Sequence, residues 1–337
     1  MALGWLMSSW LFFGGIGCSG TDNSAEIMEA EKALAGNDFA NAETKLAAVL
    51  QATPQDPKAA TAMAHLHTLK GEYDQALAVL DAVQTEDATV QSQIALRKAL
   101  IALQNKDFSK AKEKALTSNE DFAKILAAEI SLMDGEYEEA VEYLEKVGGS
   151  HKNLAKKYLK LLDGDEWSQA YAEAQALWAL RDFDLAIQSV AGTLEFVNKS
   201  AVDNQFNEHV VLWASRAVGV ANPSVAEQLL SMKGVSSAKD DWRVAVLQAM
   251  ITAINGDVAG GKSQLEALEG VAPAQALHDA KATTVVVLSS IGKDGSSLLG
   301  GLRGTSGAYA AYKANDKSRA LDMVDSDIFE QFLEGGL

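Results

Sequence analysis

Read as a string of apolar and polar positions, the chain repeats itself. A glycine or polar residue, an aromatic two positions on, and an alanine three further recur as Asp38-Phe39-Ala40-Asn41-Ala42, Gly71-Glu72-Tyr73-Asp74-Gln75-Ala76, Lys106-Asp107-Phe108-Ser109-Lys110-Ala111, Gly135-Glu136-Tyr137-Glu138-Glu139-Ala140 and Arg181-Asp182-Phe183-Asp184-Leu185-Ala186. Degenerate copies end at Ala226, Gly261 and Ala320. Between these marks the apolar residues fall at helical intervals; Val244, Leu247, Met250 and Ile251 are one example. Two gaps are longer than the rest, 46 residues from Ala140 to Ala186 and 59 from Gly261 to Ala320. An extra helix over about His151 to Leu162 fits the first gap. A further helix pair with a Gly/Ser-rich connection at Gly292 to Gly307 fits the second. Thr283 to Leu288 has strand-like propensity, but its flanks Gln275 to Lys281 and Ser289 to Ile291 read helical, which predicts one helix. Asp327 to Leu333 is a candidate capping helix.

The first three anchor alanines, Ala42, Ala76 and Ala111, are 34 and 35 residues apart. This spacing resembles the tetratricopeptide repeat, a helix-turn-helix unit of that period. The family places a second small residue twelve positions before the anchor, where helix A approaches helix B. Here those positions are Ala30, Ala64, Ala99, Ala128, Ala174, Ala214, Ala249 and Ala308. Four after the anchor, where the family wants a large apolar group, stand Leu46, Leu80, Ala115, Leu144, Val190, Leu230, Leu265 and Val324. Pro54 follows the first repeat where the family pattern has its proline. The resemblance runs from about 22 to 335, strongly to about 147. It implies an all-α fold, a right-handed superhelical solenoid of repeats, each burying its bare apolar face on the next. The packing residues it implies are Ala30, Phe39 and Ala42; Ala64, Tyr73 and Ala76; Ala99, Phe108 and Ala111; Ala128, Tyr137 and Ala140; and Ala174, Phe183 and Ala186.

Composition agrees. The chain of 337 residues is 48% hydrophobic but only 7% aromatic, with four prolines, as a helical protein with an alanine-rich core requires. That length is too great for one compact core and suits a stack of small units. The net charge of −17 argues against nucleic acid as a partner, since phosphate contact needs a basic face. The most basic stretch, His151 to Lys160 with Lys152, Lys156, Lys157 and Lys160, reads first as one solvated helix face and second as a docking patch.

Cys18 is the only cysteine. Residues 1–17 form an apolar run ending in small residues, and Gly15-Ile16-Gly17-Cys18 resembles a lipobox, the recognition site of lipoprotein signal peptidase. The resemblance implies removal of 1–17 and acylation of Cys18, with Ser19 pointing to an outer-membrane address. The expected organisation is then a signal peptide at 1–17, a lipidated tether at 18–24, regular repeats at 25–150, divergent repeats at 151–269 and an irregular helical region with a capping helix at 270–337.

Few residues suggest chemistry. Gly256-Asp257-Val258-Ala259-Gly260-Gly261-Lys262-Ser263 matches the phosphate-cradling P-loop pattern in full. The segment before it reads as helix rather than the strand a P-loop follows, and Gly261 falls on the repeat anchor. The expectation is therefore no nucleotide. His65, His67, His151, His209 and His278 show no metal-ligand spacing, so no metal and no cofactor is expected. Ser109-x-x-Lys112 and Ser236-x-x-Lys239 lack the companion motifs of serine-lysine hydrolases. Trp167, Trp178, Trp213 and Trp242, and the pair Tyr309 and Tyr312, read as core.

The sequence thus points to a non-enzymatic, lipid-anchored scaffold or adaptor of the bacterial cell envelope, facing the periplasm, whose helical stack binds envelope protein partners. It is similar to repeat lipoproteins that serve outer-membrane protein assembly, type IV pilus secretin assembly or peptidoglycan enzyme complexes. The alternative is a ligand- or glycan-binding lipoprotein of a nutrient-uptake system, whose site would be built from 163–180 and 270–307.

Overall fold

The computed structural model describes residues 23–36, 38–164, 166–198, 204–232 and 241–299. Cys18 and the signal segment, Trp167's side chain, Ser236, Lys239, Ala308, Tyr309, Tyr312, Ala320, Val324 and the Asp327–Leu333 segment lie outside the described residues. The described chain is all α-helix and short turns, with no strand among the described residues. It divides between Ala176 and Leu177 into two compact units.

In the first unit the helices come in antiparallel pairs. They are α1 (Ser24–Ala35) with α2 (Phe39–Ala52), α3 (Pro57–Leu69) with α4 (Tyr73–Asp81), α5 (Ala88–Gln104) with α6 (Phe108–Leu116), and α7 (Asp121–Met133) with α8 (Tyr137–Glu145). A short 3-10 turn, Gly149–His151, leads into α9 (Lys152–Leu162), and α10 (Glu166–Ala179) follows. Asn23 and Ser24, expected in the tether, belong to the first repeat; Asn23 Nδ2 donates to Thr53 Oγ1 at 3.2 Å.

One turn geometry recurs between paired helices. The first helix ends in a left-handed residue five positions before the anchor: Gly71 (φ 76°), Lys106 (57°), Gly135 (75°), Arg181 (65°), Ala221 (59°) and Gly256 (119°). The next residue's N–H then reaches back to an orphan carbonyl, as in Glu72 N to His67 O at 2.8 Å and Asp107 N to Ala102 O at 2.9 Å. This is a Schellman ending. That same residue starts the second helix. Where it is Asp38, Asp107, Asn222 or Asp257, its side chain caps a backbone N–H of the first turn. Glu72 and Glu136 make no such cap. Their longer side chains turn elsewhere, to His67 at 2.6 Å and Lys112 at 2.6 Å.

The core follows the small residues. Ala30, Ala42, Ala64, Ala76, Ala99, Ala111, Ala128 and Ala140 are all fully buried. Around them apolar clusters run from pair to pair: Ala30, Ala42 and Leu46 meet Met63 and Leu66 of α3, and Ala64, Ala76 and Leu80 meet Val90, Ile94 and Ile101 of α5. The aromatics Phe39, Tyr73, Phe108 and Tyr137 are half-buried at the edges of this core. Repeat regularity weakens after about 150, but compactness does not. Ala155, Tyr158 and Leu162 of α9, with Ala172 and Ala176 of α10, share one cluster with α7 and α8.

The second unit carries α11 (Phe183–Asn198), the pair α12 (Asn204–Gly219) and α13 (Pro223–Leu230), the pair α14 (Trp242–Ile254) and α15 (Val258–Ala267), and α16 (Ala274–Ser290). Thr283 to Leu288 lies inside α16, so helical context overrides its β-branched propensity. Ala186, Ala214, Ala226 and Ala249 are fully buried, as is Ala174 in the first unit, and Phe183 is half-buried. Among the described residues, the segment after α16 is a short 3-10 turn, Ser296–Leu299, packed on α16.

Candidate protein-interaction surface

The first helices of successive pairs in the first unit are α1, α3, α5 and α7; α1 packs on α3 and α3 on α5, and α7 follows through its contact with α6. Ionisable groups stand along this row at related positions. Glu31, His65 and Glu129 each directly follow the buried alanine of their helix, Ala30, Ala64 and Ala128. They therefore share one face from helix to helix. Arg97, two before Ala99, falls on the same side of α5.

Burial perturbs every one of these groups. Desolvation raises the Glu31 carboxyl above its ordinary value, with Lys58 opposing. It lowers His65 to about 4, helped by the positive charge of Arg97. Arg97 itself is pushed down to about 10, and Glu129, 3% exposed, is pushed up to about 8. The Tyr158 hydroxyl donates to Glu129 Oε1 at 3.1 Å and opposes that rise. At neutral pH these shifts leave His65 and Glu129 uncharged and Arg97 charged, so the row offers desolvated polar groups for which an unmet hydrogen bond is costly. Clusters of desolvated ionisable groups are candidate recognition sites for that reason. Glu31 and His65, partly exposed, can reach a partner directly; Arg97 and Glu129 lie beneath, the first as a positive charge and the second as a neutral carboxyl.

Only His65 of these four was singled out by the sequence, and then for metal spacing. On the helix it parts from His67, which binds Glu72 while His65 lies beside Arg97. Arg97, Glu129 and Glu31 were missed. The available signal was an ionisable residue beside the small residue of a helix that must be buried.

The other candidate motifs resolve into packing. Gly256 to Ser263 opens in the turn after α14 and continues as α15, so helix, not strand, precedes it. Asp257 Oδ1 already accepts the Gly260 N–H at 2.8 Å, one of the donors a phosphate would need. A Cβ on Gly261 would lie 2.6 Å from the Ala249 carbonyl, so the glycine permits close helix approach. Lys262 Nζ lies 3.8 Å from Glu266. Lys112, of the Ser-x-x-Lys spacing, binds Glu136 and Glu139, and with Tyr143 holds the Glu139 carboxyl down to about 2. Trp178 and Trp213 are buried edge-to-face at 5.7 Å. The Arg216 guanidinium lies 4.7 and 4.5 Å from their ring centres, a cation–π contact within the second unit. No group of three or more His, Cys, Asp or Glu that could hold a metal occurs among the described residues, and no helix among them is long and apolar enough to cross a membrane.

Residues 33–101, spanning α2 to α4 and most of α5, match the family model described as Tetratricopeptide repeat. The chain is thus a tetratricopeptide-repeat-like all-α protein of stacked helix pairs, a fold typical of protein–protein interaction scaffolds. No curated protein sequence matches it. Among solved structures it is similar to Pseudomonas aeruginosa pilF, with a TM-score of 0.35 and 15% identity over 75% of this chain and 92% of that one. It is also similar to the Naa15/Naa10 complex bound to HypK-THB (TM-score 0.33, 13% identity, 94% of this chain and 52% of that one). A third similarity is to the P58(IPK) TPR domain (0.25, 12% identity, 94% and 99%). At such scores these likenesses carry no argument, and function is argued from the chain's own residues.

Proposed function

We propose that this chain is a lipid-anchored adaptor of the bacterial cell envelope that holds partner proteins on the α1–α3–α5–α7 row. The observation that carries the reading is the line of desolvated ionisable groups, Glu31, His65, Arg97 and Glu129, on one side of successive repeat helices. Such groups discriminate partners by the hydrogen bonds they require, and Arg97 by its charge, more than they raise affinity. The anchoring half of the proposal rests on Cys18 after Gly15-Ile16-Gly17. Two or more acyl chains there would anchor stably where one would not.

The test is a pull-down from detergent-solubilised envelope with mass spectrometry, using the full chain and Glu31→Lys/His65→Glu beside it. A partner recovered with the first and lost with the second is the expected result. Cys18→Ser should separate the two halves by releasing the protein from membranes without changing the partners it recovers. An unmodified Cys18 in the mature protein ends the anchoring half, and a partner retained by the double variant ends the binding half.

A further inference from the structure

The helix that interrupts the repeat period carries a positive charge that the fold does not use. No acidic residue lies between Lys146 and Asp163 in a chain of net charge −17. One face of α9, Ala155, Tyr158 and Leu162, is buried against its neighbours, with Leu154, Leu159 and Leu161 packed beside it. The opposite face is Lys152, Asn153, Lys156, Lys157 and Lys160, all exposed. Most lysines elsewhere in this unit are tied to carboxylates across or along the helices, among them Lys45 to Glu29, Lys70 to Glu43, Lys98 to Asp81, Lys112 to Glu136 and Glu139, Lys124 to Asp121 and Lys146 to Glu142. Lys32, Lys58, Lys106 and Lys110 are not so tied among the described residues, but they are scattered over three helices and a turn rather than lined along one helix. None of the four lysines of α9 has a carboxylate within ion-pair distance among the described residues. Like charges four apart on a helix repel, so Lys152, Lys156 and Lys160 work against α9. Lys160 in the last turn gains from the helix dipole, but stability of α9 gives no reason for Lys152 and Lys156.

Lys152, Lys156 and Lys160 form a line along the helix, about 6 Å apart in rise. Alternate side chains of an extended peptide recur at about 6.6–6.8 Å on one side. The match is to a line of carboxylates at every second position. A membrane surface fits less well: a helix that lies in a bilayer interface keeps its apolar face free to insert, and here that face is already buried in the unit. We propose that the Lys152–Lys156–Lys160 row docks an extended acidic segment of a partner protein, with Asp or Glu at alternate positions. The surface does not use Glu31 or His65, so this inference and the proposed role of the α1–α3–α5–α7 row fail or stand separately.

The probe is a fluorescein-labelled dodecapeptide of alternating Glu and Ser, with a block peptide of the same composition as control, titrated with the full chain at low ionic strength and read by fluorescence anisotropy. The alternating peptide should bind, and several-fold more tightly than the block peptide. Lys152→Glu/Lys156→Glu/Lys160→Glu should weaken binding by about ten-fold or more, since three screened surface pairs turn repulsive. Lys152→Gln/Lys156→Gln/Lys160→Gln should weaken it less, and Lys32→Glu/Lys106→Glu should leave it unchanged. Circular dichroism checks that α9 stays folded, as its buried face is untouched. Binding unaffected by the charge reversal, equal affinity for alternating and block peptides, no peptide binding at all, or capture of phosphatidylglycerol vesicles in place of peptide would each overturn the proposal.

Discussion

Lys106→Gly should make the protein more stable, although it deletes a side chain and inserts the poorest non-proline helix former. Lys106 ends α5 at φ 57°, the position that Gly71, Gly135 and Gly256 occupy in other repeats. A residue with a Cβ costs roughly 1–2 kcal/mol in that left-handed conformation. Glycine there removes that strain but has more unfolded-chain freedom to lose, roughly 0.5–1 kcal/mol. Lys106 is exposed and makes no ion pair among the described residues, so little else is lost. The balance is a gain of about 0.5–1 kcal/mol, or about 2–4 °C per kcal/mol in a unit of this size. The reciprocal change, Gly71→Ala, meets nothing within 4 Å and isolates the backbone effect. It should cost about 1 kcal/mol. Lys106→Ala separates side chain from backbone: alanine keeps the strain, so its stability should stay near wild type. The assay is thermal and urea unfolding of the full chain followed at 222 nm, a standard wavelength for helix. If Lys106→Gly lowers the midpoint, or Lys106→Ala raises it as much as glycine does, strain at the turn is not what sets stability there.

Gly261→Ala should cost about 1–3 kcal/mol, because its Cβ would meet the Ala249 carbonyl at 2.6 Å, while Lys262→Ala should change stability little; both are read by thermal unfolding. Ala76→Leu should cost about 1–3 kcal/mol by overpacking a fully buried position among Ala64, Leu80 and Ile94. Differential scanning calorimetry should show that loss reaching neighbouring repeats rather than one helix. The folded-state rise of Glu129 to about 8 makes the native chain bind a proton that the unfolded chain releases at about 4.5. Stability from this group is therefore full below about 4.5 and is lost as pH rises through about 8. Glu129→Gln should remove that slope, so its midpoint should exceed wild type at pH 9 more than at pH 5, and parallel profiles would contradict the assignment.

Two readings of Gly256 to Ser263 compete in the sequence for a physical reason. A phosphate-cradling loop and a close helix pair both need glycine where a second group comes within contact distance of the backbone. In one case that group is a phosphate oxygen, in the other the Ala249 carbonyl. The pattern by itself cannot distinguish them. The helical spacing of Val244, Leu247, Met250 and Ile251 can, because a P-loop follows a strand. The same logic explains why the alanine pairs were legible: antiparallel helices at that approach admit only alanine or glycine, so Ala64 with Ala76 or Ala99 with Ala111 leaves a periodic mark.

What stayed hidden is set by position relative to residues one repeat away. Three turns carry Lys106, Arg181 and Ala221 where others carry glycine. A strained conformation tolerates many residues at modest cost, so it writes no strict pattern. Glu129 is raised by a burial that only the folded neighbours create, with Tyr158, 29 residues on, opposing it, and His65 is lowered by burial and then by Arg97 on the next repeat's helix. The four lysines of α9 were visible as a basic stretch. Their lack of carboxylate partners among the described residues was not, since that depends on which acidic residues of other helices lie within reach in space. In a solenoid each repeat gets its packing from a local rule and its chemistry from its neighbours. A periodic sequence therefore announces the scaffold while concealing the groups that select a partner.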